Sequence, residues 1–331
     1  MSLPRTPDCS PWEDQGRIDL IARCAVEGDL AELAGHLLSA ADCEGYGAVS
    51  RLRAMPRERR VALAALLIEH STARHGAPGK HERVWPALAA IARGFAEDAW
   101  CEQWNSMLEA LARRIFWAQT GDDLPTVAEA LLDAGRPLSG EVVGLLRRSA
   151  YAGLGWAELL LDRLPEPPLN PGEPWSDRVL AELPRLDGAW RHLIPHLRAA
   201  GPAPSARWDR AAAAILGGVD AETVRRTATP WLALATLGGT AEAGGHDAWN
   251  VTAVRGLAWL LSSPFQPSHP ETVRTLGALV ERPPVKTVVA AAGIRALTRL
   301  DGGAGRDELR RLADCVEHTV TRKQIHRALT P

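Results

Sequence analysis

At 331 residues the chain has room for one long stack of elements or for two compact domains. Its 38 basic residues stand against 40 acidic ones, and the formal net charge of −2 argues against a protein that lives on nucleic-acid phosphates. Five scattered cysteines without a CxxC pair argue against a disulfide framework or a structural zinc site, and the longest apolar run, Val61 to Ile68, is too short to span a bilayer.

Lysine occurs only at Lys80, Lys286 and Lys323, so nearly all positive charge is arginine, as a GC-rich coding sequence would give. Two Tyr, three Phe and no sustained two-residue alternation argue against a sheet. The opening MSLPRTPDCSPWEDQG has no apolar core and is not expected to be a signal peptide. The expectation is a cytoplasmic, tryptophan-rich, all-α protein with no membrane segment, no metal and no cofactor.

Residues 1–13 are Pro-rich and read as an arm. Apolar residues at helical spacing then mark short helices through an N-terminal half, residues 14–164. Asp29 is a candidate cap of the second of these helices, and Ser139 of a later one. Trp100, Trp104, Leu108, Leu111 and Ile115 form the longest stripe. LPEPPLNPGEPW carries five prolines in twelve residues and predicts an extended, stiff connector over 165–175. A second half, 176–331, follows, with separate helices expected over 221–228 and 230–237 and the last helix opening at a Thr321/Gln324 capping box. About sixteen helices are expected in all.

The C-terminal block is the most regular. DAWNVTAVRGLAWLLSS carries Val251, Val254, Ala258 and Leu261 on one stripe, with Thr252, Arg255, Trp259 and Ser262 on another face. VKTVVAAAGIRALTRL is apolar nearly all round, as a helix sandwiched between neighbours would be. PPVKTVVAAAGIRALTRL resembles the second helix of a HEAT repeat. The order AWNVTAVRGLAWLL, PPVKTVVAAAGIRAL, DELRRLADCVEHTVTRKQIHRAL is similar to the HEAT-like region of large bacterial proteins with a domain of unknown function, related to the so-called molybdate metabolism regulator. The resemblance covers the last quarter of the chain and implies a HEAT-like α-solenoid of degenerate repeats. It carries no active site over. A compact all-α domain of unrelated topology is the alternative.

No catalytic constellation stands out. His192 and His196 are four apart, but Pro195 lies between them and no third ligand is evident. His70, His75 and His81 flank a loop, where histidines commonly sit near helix ends. The arginine doublets Arg113–Arg114, Arg147–Arg148, Arg225–Arg226 and Arg310–Arg311 would form an anion-binding face only if their helices stacked in register. Trp231, Trp249 and Trp259, with Asn250, Arg255, Arg225 and Arg226, are the candidate binding residues, because Trp and Arg dominate binding hot spots. Trp as filler between helices is the plainer reading. The function expected is a scaffold that binds a protein or peptide on a concave face. An enzyme acting on nucleic acid, of the HEAT-like DNA glycosylase type, and a small-molecule accessory protein are the alternatives; the net charge disfavours nucleic acid.

Overall fold

The computed structural model describes residues 15–26, 28–39, 46–73, 80–118, 123–237, 246–281 and 287–330. The N-terminal arm, His75 and most of the Gly-rich stretch before His246 lie outside these, and the side chains of His70 and His81 are not described. Among the described residues every regular element is helical, and no helix is long and apolar enough to cross a membrane.

The chain divides into two compact units, Met1–Leu164 and Pro165–Pro331. The first holds α1 (Gln15–Val26), α2 (Leu30–Ser39), α3 (Tyr46–Arg53), α4 (Arg57–Ala73), α5 (Lys80–Ile91), α6 (Asp98–Arg114), α7 (Leu124–Asp133), α8 (Gly140–Tyr151) and the single-turn α9 (Gly155–Glu158). The second holds α10 (Pro174–Glu182), α11 (Gly188–Arg198), α12 (Ala206–Ile215), α13 (Ala221–Ala235), α14 (Val251–Leu261), α15 (Pro270–Glu281), α16 (Thr287–Arg299), α17 (Ala304–Cys315) and α18 (Thr319–Leu329). Among the described residues the helices run to α18, against the about sixteen expected.

Each unit packs its helices in rows. In the first, α1 packs on α3, α3 on α5 and α5 on α7, while α2 packs on α4 and α6 on α8. In the second, α13 packs on α15 and α15 on α17, and α11, α14, α16 and α18 form the facing row. An amphipathic helix has one face to bury; a helix between two rows must be apolar on more. Helix α14 meets that demand: Val251, Ala253, Val254 and every residue from Gly256 to Leu261 are buried. Trp259 and Ser262, expected on a separate face, are buried with the rest.

One of the close helix approaches in the second unit is at Gly256. A Cβ there would lie 2.3 Å from the carbonyl oxygen of Leu197. Gly293 plays the same part between α16 and α15, where a Cβ would meet Val280 Cγ2 at 2.7 Å. The Ala- and Gly-rich stretch of α16 therefore permits the close packing its composition suggested.

Local chemistry sets the helix ends. Asp29 Oδ1 accepts from the Ala31 amide at 2.8 Å and Ser139 Oγ from the Val142 amide at 3.5 Å. The last helix starts two residues before Thr321, and His318 Nδ1 caps it by accepting from the Thr321 amide at 3.3 Å. Residues 221–235 form one helix through the exposed Pro230, because Val224, Ala228, Trp231, Leu232 and Ala235 bury a single continuous face.

The largest departure from expectation is the proline-rich stretch. The boundary between the units falls at its start, and the stretch also enters the second unit's core: Leu169, Asn170, Glu173 and Trp175 are all buried. Proline content predicts an extended backbone, and an extended backbone can run through an interior if its polar groups find partners.

Replacing Gly256 by Ala should lower stability by about 1–3 kcal/mol, because the added methyl has only backbone to displace. Replacing Gly188, whose Cβ would meet nothing within 4 Å, should change it by less than about 0.5 kcal/mol. Denaturant unfolding of the two full-length variants reads the difference.

Candidate functional site

Two polar clusters stand out in the second unit. The first is sealed. Asn170, Glu173, His246, Asp247 and Asn250 are 0–2% exposed. Glu173 Oε1 accepts from the Asp247 amide at 2.9 Å and pairs with His246 Nδ1 at 3.1 Å, and its Oε2 accepts from Asn250 Nδ2 at 2.7 Å. Asn250 Oδ1 accepts from the Asn170 amide at 2.9 Å, and Asn250 Nδ2 donates to the Asn170 carbonyl at 2.8 Å. Asp247 accepts from Asn170 Nδ2 at 3.2 Å and from the Trp249 amide at 2.8 Å.

Two carboxylates, an imidazole and two amides are the residue types of a catalytic centre. Here they spend their hydrogen bonds on one another and on backbone, with no exposed surface for a substrate to reach. The cluster is a pin. It ties the proline-rich segment to the entry of α14 and satisfies the backbone that runs through the interior.

The second cluster is open and surrounds the end of α11. The Arg198 guanidinium lies over the Trp249 ring, 3.5 Å from its centroid. Among the described residues it has no hydrogen-bond or ion-pair partner, and its Nε is sealed from solvent. Burial pulls its pKa down to about 10, the sign of a cation held without an anion. Arg255 donates from Nη2 to the Ala200 carbonyl, and Arg295 from Nη1 to the Pro202 carbonyl. Among the described residues neither has a carboxylate partner. Burial and then the neighbouring Arg295 lower the pKa of Arg255. Between the two, Trp259 Nε1 donates to the Gly201 carbonyl at 3.2 Å. Carbonyls that follow a helix C-terminus carry the negative end of its dipole, which eases the placement of Arg255 and Arg295 at one loop.

This arrangement divides the residues singled out in the sequence. Trp249 and Arg255 are half-buried at the open cluster. Asn250 belongs to the sealed pin. Trp259 and Trp231 are core residues with no exposed surface, which corrects their reading as groove residues. Trp231 packs edge-on against Trp190 at 5.3 Å and donates to Glu182 Oε2 at 2.6 Å. Each such indole removes about 150–250 Å2 from water, so filling the interior is its main contribution. Arg255 and Trp259 do not stack on each other, because each reaches its own carbonyl on the 200–202 loop.

Several arginines of the doublets are engaged within their own unit. Arg147 is buried and donates to the Leu164 carbonyl at 2.5 Å, and Arg148 donates to the Phe116 carbonyl at 2.8 Å. Arg225 pairs with Glu222 and Glu271, both at 2.6 Å, which raises its pKa. Arg311 pairs with Glu281 and Glu308 at 2.8 Å. Of the two candidates at 225–226, only Arg226 is exposed. His196 stacks on Trp208 with centroids 4.6 Å apart, while His192 is exposed, so the pair shares no ligand position.

Sequence reasoning missed Arg198 and Arg295. A basic residue in the last turn of α11 was visible, but its stacking on a tryptophan some fifty residues later was not.

No family model, no curated protein and no solved structure matches this chain.

The pin predicts a specific fragility. Glu173→Gln replaces an acceptor with an amide that faces donors, and should destabilise the second unit by about 3 kcal/mol or more. Thermal unfolding followed by circular dichroism checks this; an unchanged midpoint would contradict the assignment.

Proposed function

We propose that residues 165–331 form a HEAT-like helical-repeat binding module that takes an acidic segment of a partner protein at Arg198, Trp249, Arg255 and Arg295. The two facing rows of helices in this unit support the repeat reading. One observation carries the binding reading: Arg198 is held flat on Trp249 with no anion among the described residues, in a setting that depresses its pKa. Desolvating a guanidinium without a counter-charge costs free energy that an aromatic face only partly returns. A carboxylate from outside would recover it. Arg255 and Arg295 add two more guanidinium groups without carboxylates around the same loop.

Arg and Trp at such a site are the residue types that carry interface energy, and an arginine fork matches carboxylate geometry. Phosphate offers the same geometry, so a nucleic acid is the competing partner. The net charge of −2 and the presence of only three lysines speak against it.

The test is capture of partners by the tagged full-length protein, with and without nuclease, beside the variants Arg295→Glu and Arg198→Ala. The expected result is a stoichiometric protein partner that survives nuclease and leaves as salt is raised. Each variant should weaken it about tenfold or more, equivalent to at least ~1.4 kcal/mol. Recovery of nucleic acid alone, or of a protein that both variants hold at full strength, would count against the proposal.

A further inference from the structure

In the first unit, α1 and α2 bring together a cysteine, a glutamate and a histidine that no catalytic or binding reading has used. Cys24 lies in the last turn of α1, and Glu32 and His36 are four residues apart on α2. The thiol sulfur, a carboxylate oxygen and an imidazole nitrogen all lie within 4.8 Å of one another. His36 Nε2 and Glu32 Oε1 are 3.7 Å apart. We propose that Cys24, Glu32 and His36 bind a zinc-class divalent cation, leaving one coordination position open to solvent.

The geometry suits that ion. Bonds of about 2.0–2.3 Å at tetrahedral angles put ligand atoms roughly 3.3–3.6 Å apart. The His36–Glu32 pair already stands close to that spacing, and small rotamer changes bring in the sulfur. Thiolate, imidazole and carboxylate together select a borderline-soft metal over magnesium or calcium, which take oxygen donors. Three protein ligands with a free fourth position match zinc sites that hold a water or a substrate rather than closed structural ones.

The scaffold that sets the cluster is stiff. The turn between α1 and α2 closes at Gly28, where a Cβ would lie 2.5 Å from the Cys24 Cα. Arg59 on α4 clamps that turn by donating to the carbonyls of Cys24 at 3.2 Å and Gly28 at 3.1 Å. Asp29 caps α2 at its start. The burial runs from inside to outside: Cys24 is buried, His36 half-buried and Glu32 exposed, which gives a cation a route in past Glu32. Glu32 and Asp29 also act on the thiol and raise its pKa, while Arg23 lowers it. Burial and these carboxylates push the Cys24 thiol up, so a bound dication would have to displace its proton.

Cobalt(II) is the probe, added to the full-length protein after dialysis against a chelator. One equivalent per chain should give a near-ultraviolet thiolate-to-cobalt charge-transfer band and the intense visible spectrum of a four-coordinate ion, both bleached by zinc. Cys24→Ser should remove the charge-transfer band. Loss of a group that merely supports a metal ligand already costs about 10–100-fold in affinity, so His36→Gln and Glu32→Gln should each weaken binding at least about tenfold. These two substitutions sit on the outer side of α2, and an unchanged helical circular dichroism signal shows that the fold is kept. Cys101→Ser and Cys315→Ser should leave the spectrum as it was. The proposal is overturned if no thiolate band forms at stoichiometric cobalt. It is equally overturned if the band survives in His36→Gln and Glu32→Gln at full affinity, or follows another cysteine.

Discussion

The carboxylate of Glu173 is shut away from water, and the second unit is arranged so that this is tolerable. Burying a carboxylate without partners costs several kcal/mol. Asn250, His246 and the Asp247 amide meet its two oxygens at 2.7–3.1 Å. That requirement fixes where the proline-rich segment runs and where α14 begins. Helix α14 in turn crosses α11 at Gly256 and carries Arg255 and Trp259 to the loop after α11, while Trp249, just before α14, meets Arg198. The open arginine cluster is therefore a consequence of the sealed one. A pin held by so many hydrogen bonds restricts its own geometry, and the side chains that follow it along α14 inherit that restriction.

The same unit treats its charges in two ways. Arg225 and Arg311 each meet two carboxylates, which neutralise them within the unit. Arg198, Arg255 and Arg295 meet carbonyls or an aromatic face instead. Carbonyl dipoles and indole faces orient a guanidinium without neutralising it. The result is a localised positive field in a protein whose overall charge is close to zero, which is a means of selecting a partner rather than of raising solubility. Around Cys24 in the first unit charges of both signs meet, with Glu32 and Asp29 on one side and Arg23 and Arg59 on the other.

Much of the helical order was legible along the chain. Period-3.6 stripes located the helices, Asp29 and Ser139 announced two of the caps, and the small residues of α16 announced close packing. The errors share one cause. Separate helices were read over 221–228 and 230–237, and the burial within 165–175 was missed, because proline constrains the backbone locally while burial depends on what lies across the interior. Trp259 read as a surface residue because periodicity assigns one inner face per helix, and α14 has neighbours on both sides. Of the candidate binding residues, Trp249 and Arg255 stand at the open cluster, whereas Trp231, Trp259 and Asn250 are interior.

The sequence by itself determined that this chain is helical and lacks a long apolar span. Those properties follow from composition and spacing within a dozen residues, where backbone propensity and one apolar stripe decide the outcome. Only the tertiary structure decided that Glu173 is buried and satisfied, that Arg198 meets Trp249, and that Cys24 lies beside Glu32 and His36. Each of those facts depends on groups from different helices arriving within a few ångströms, and such distances are set by packing at Gly28 and Gly256 rather than by any local pattern.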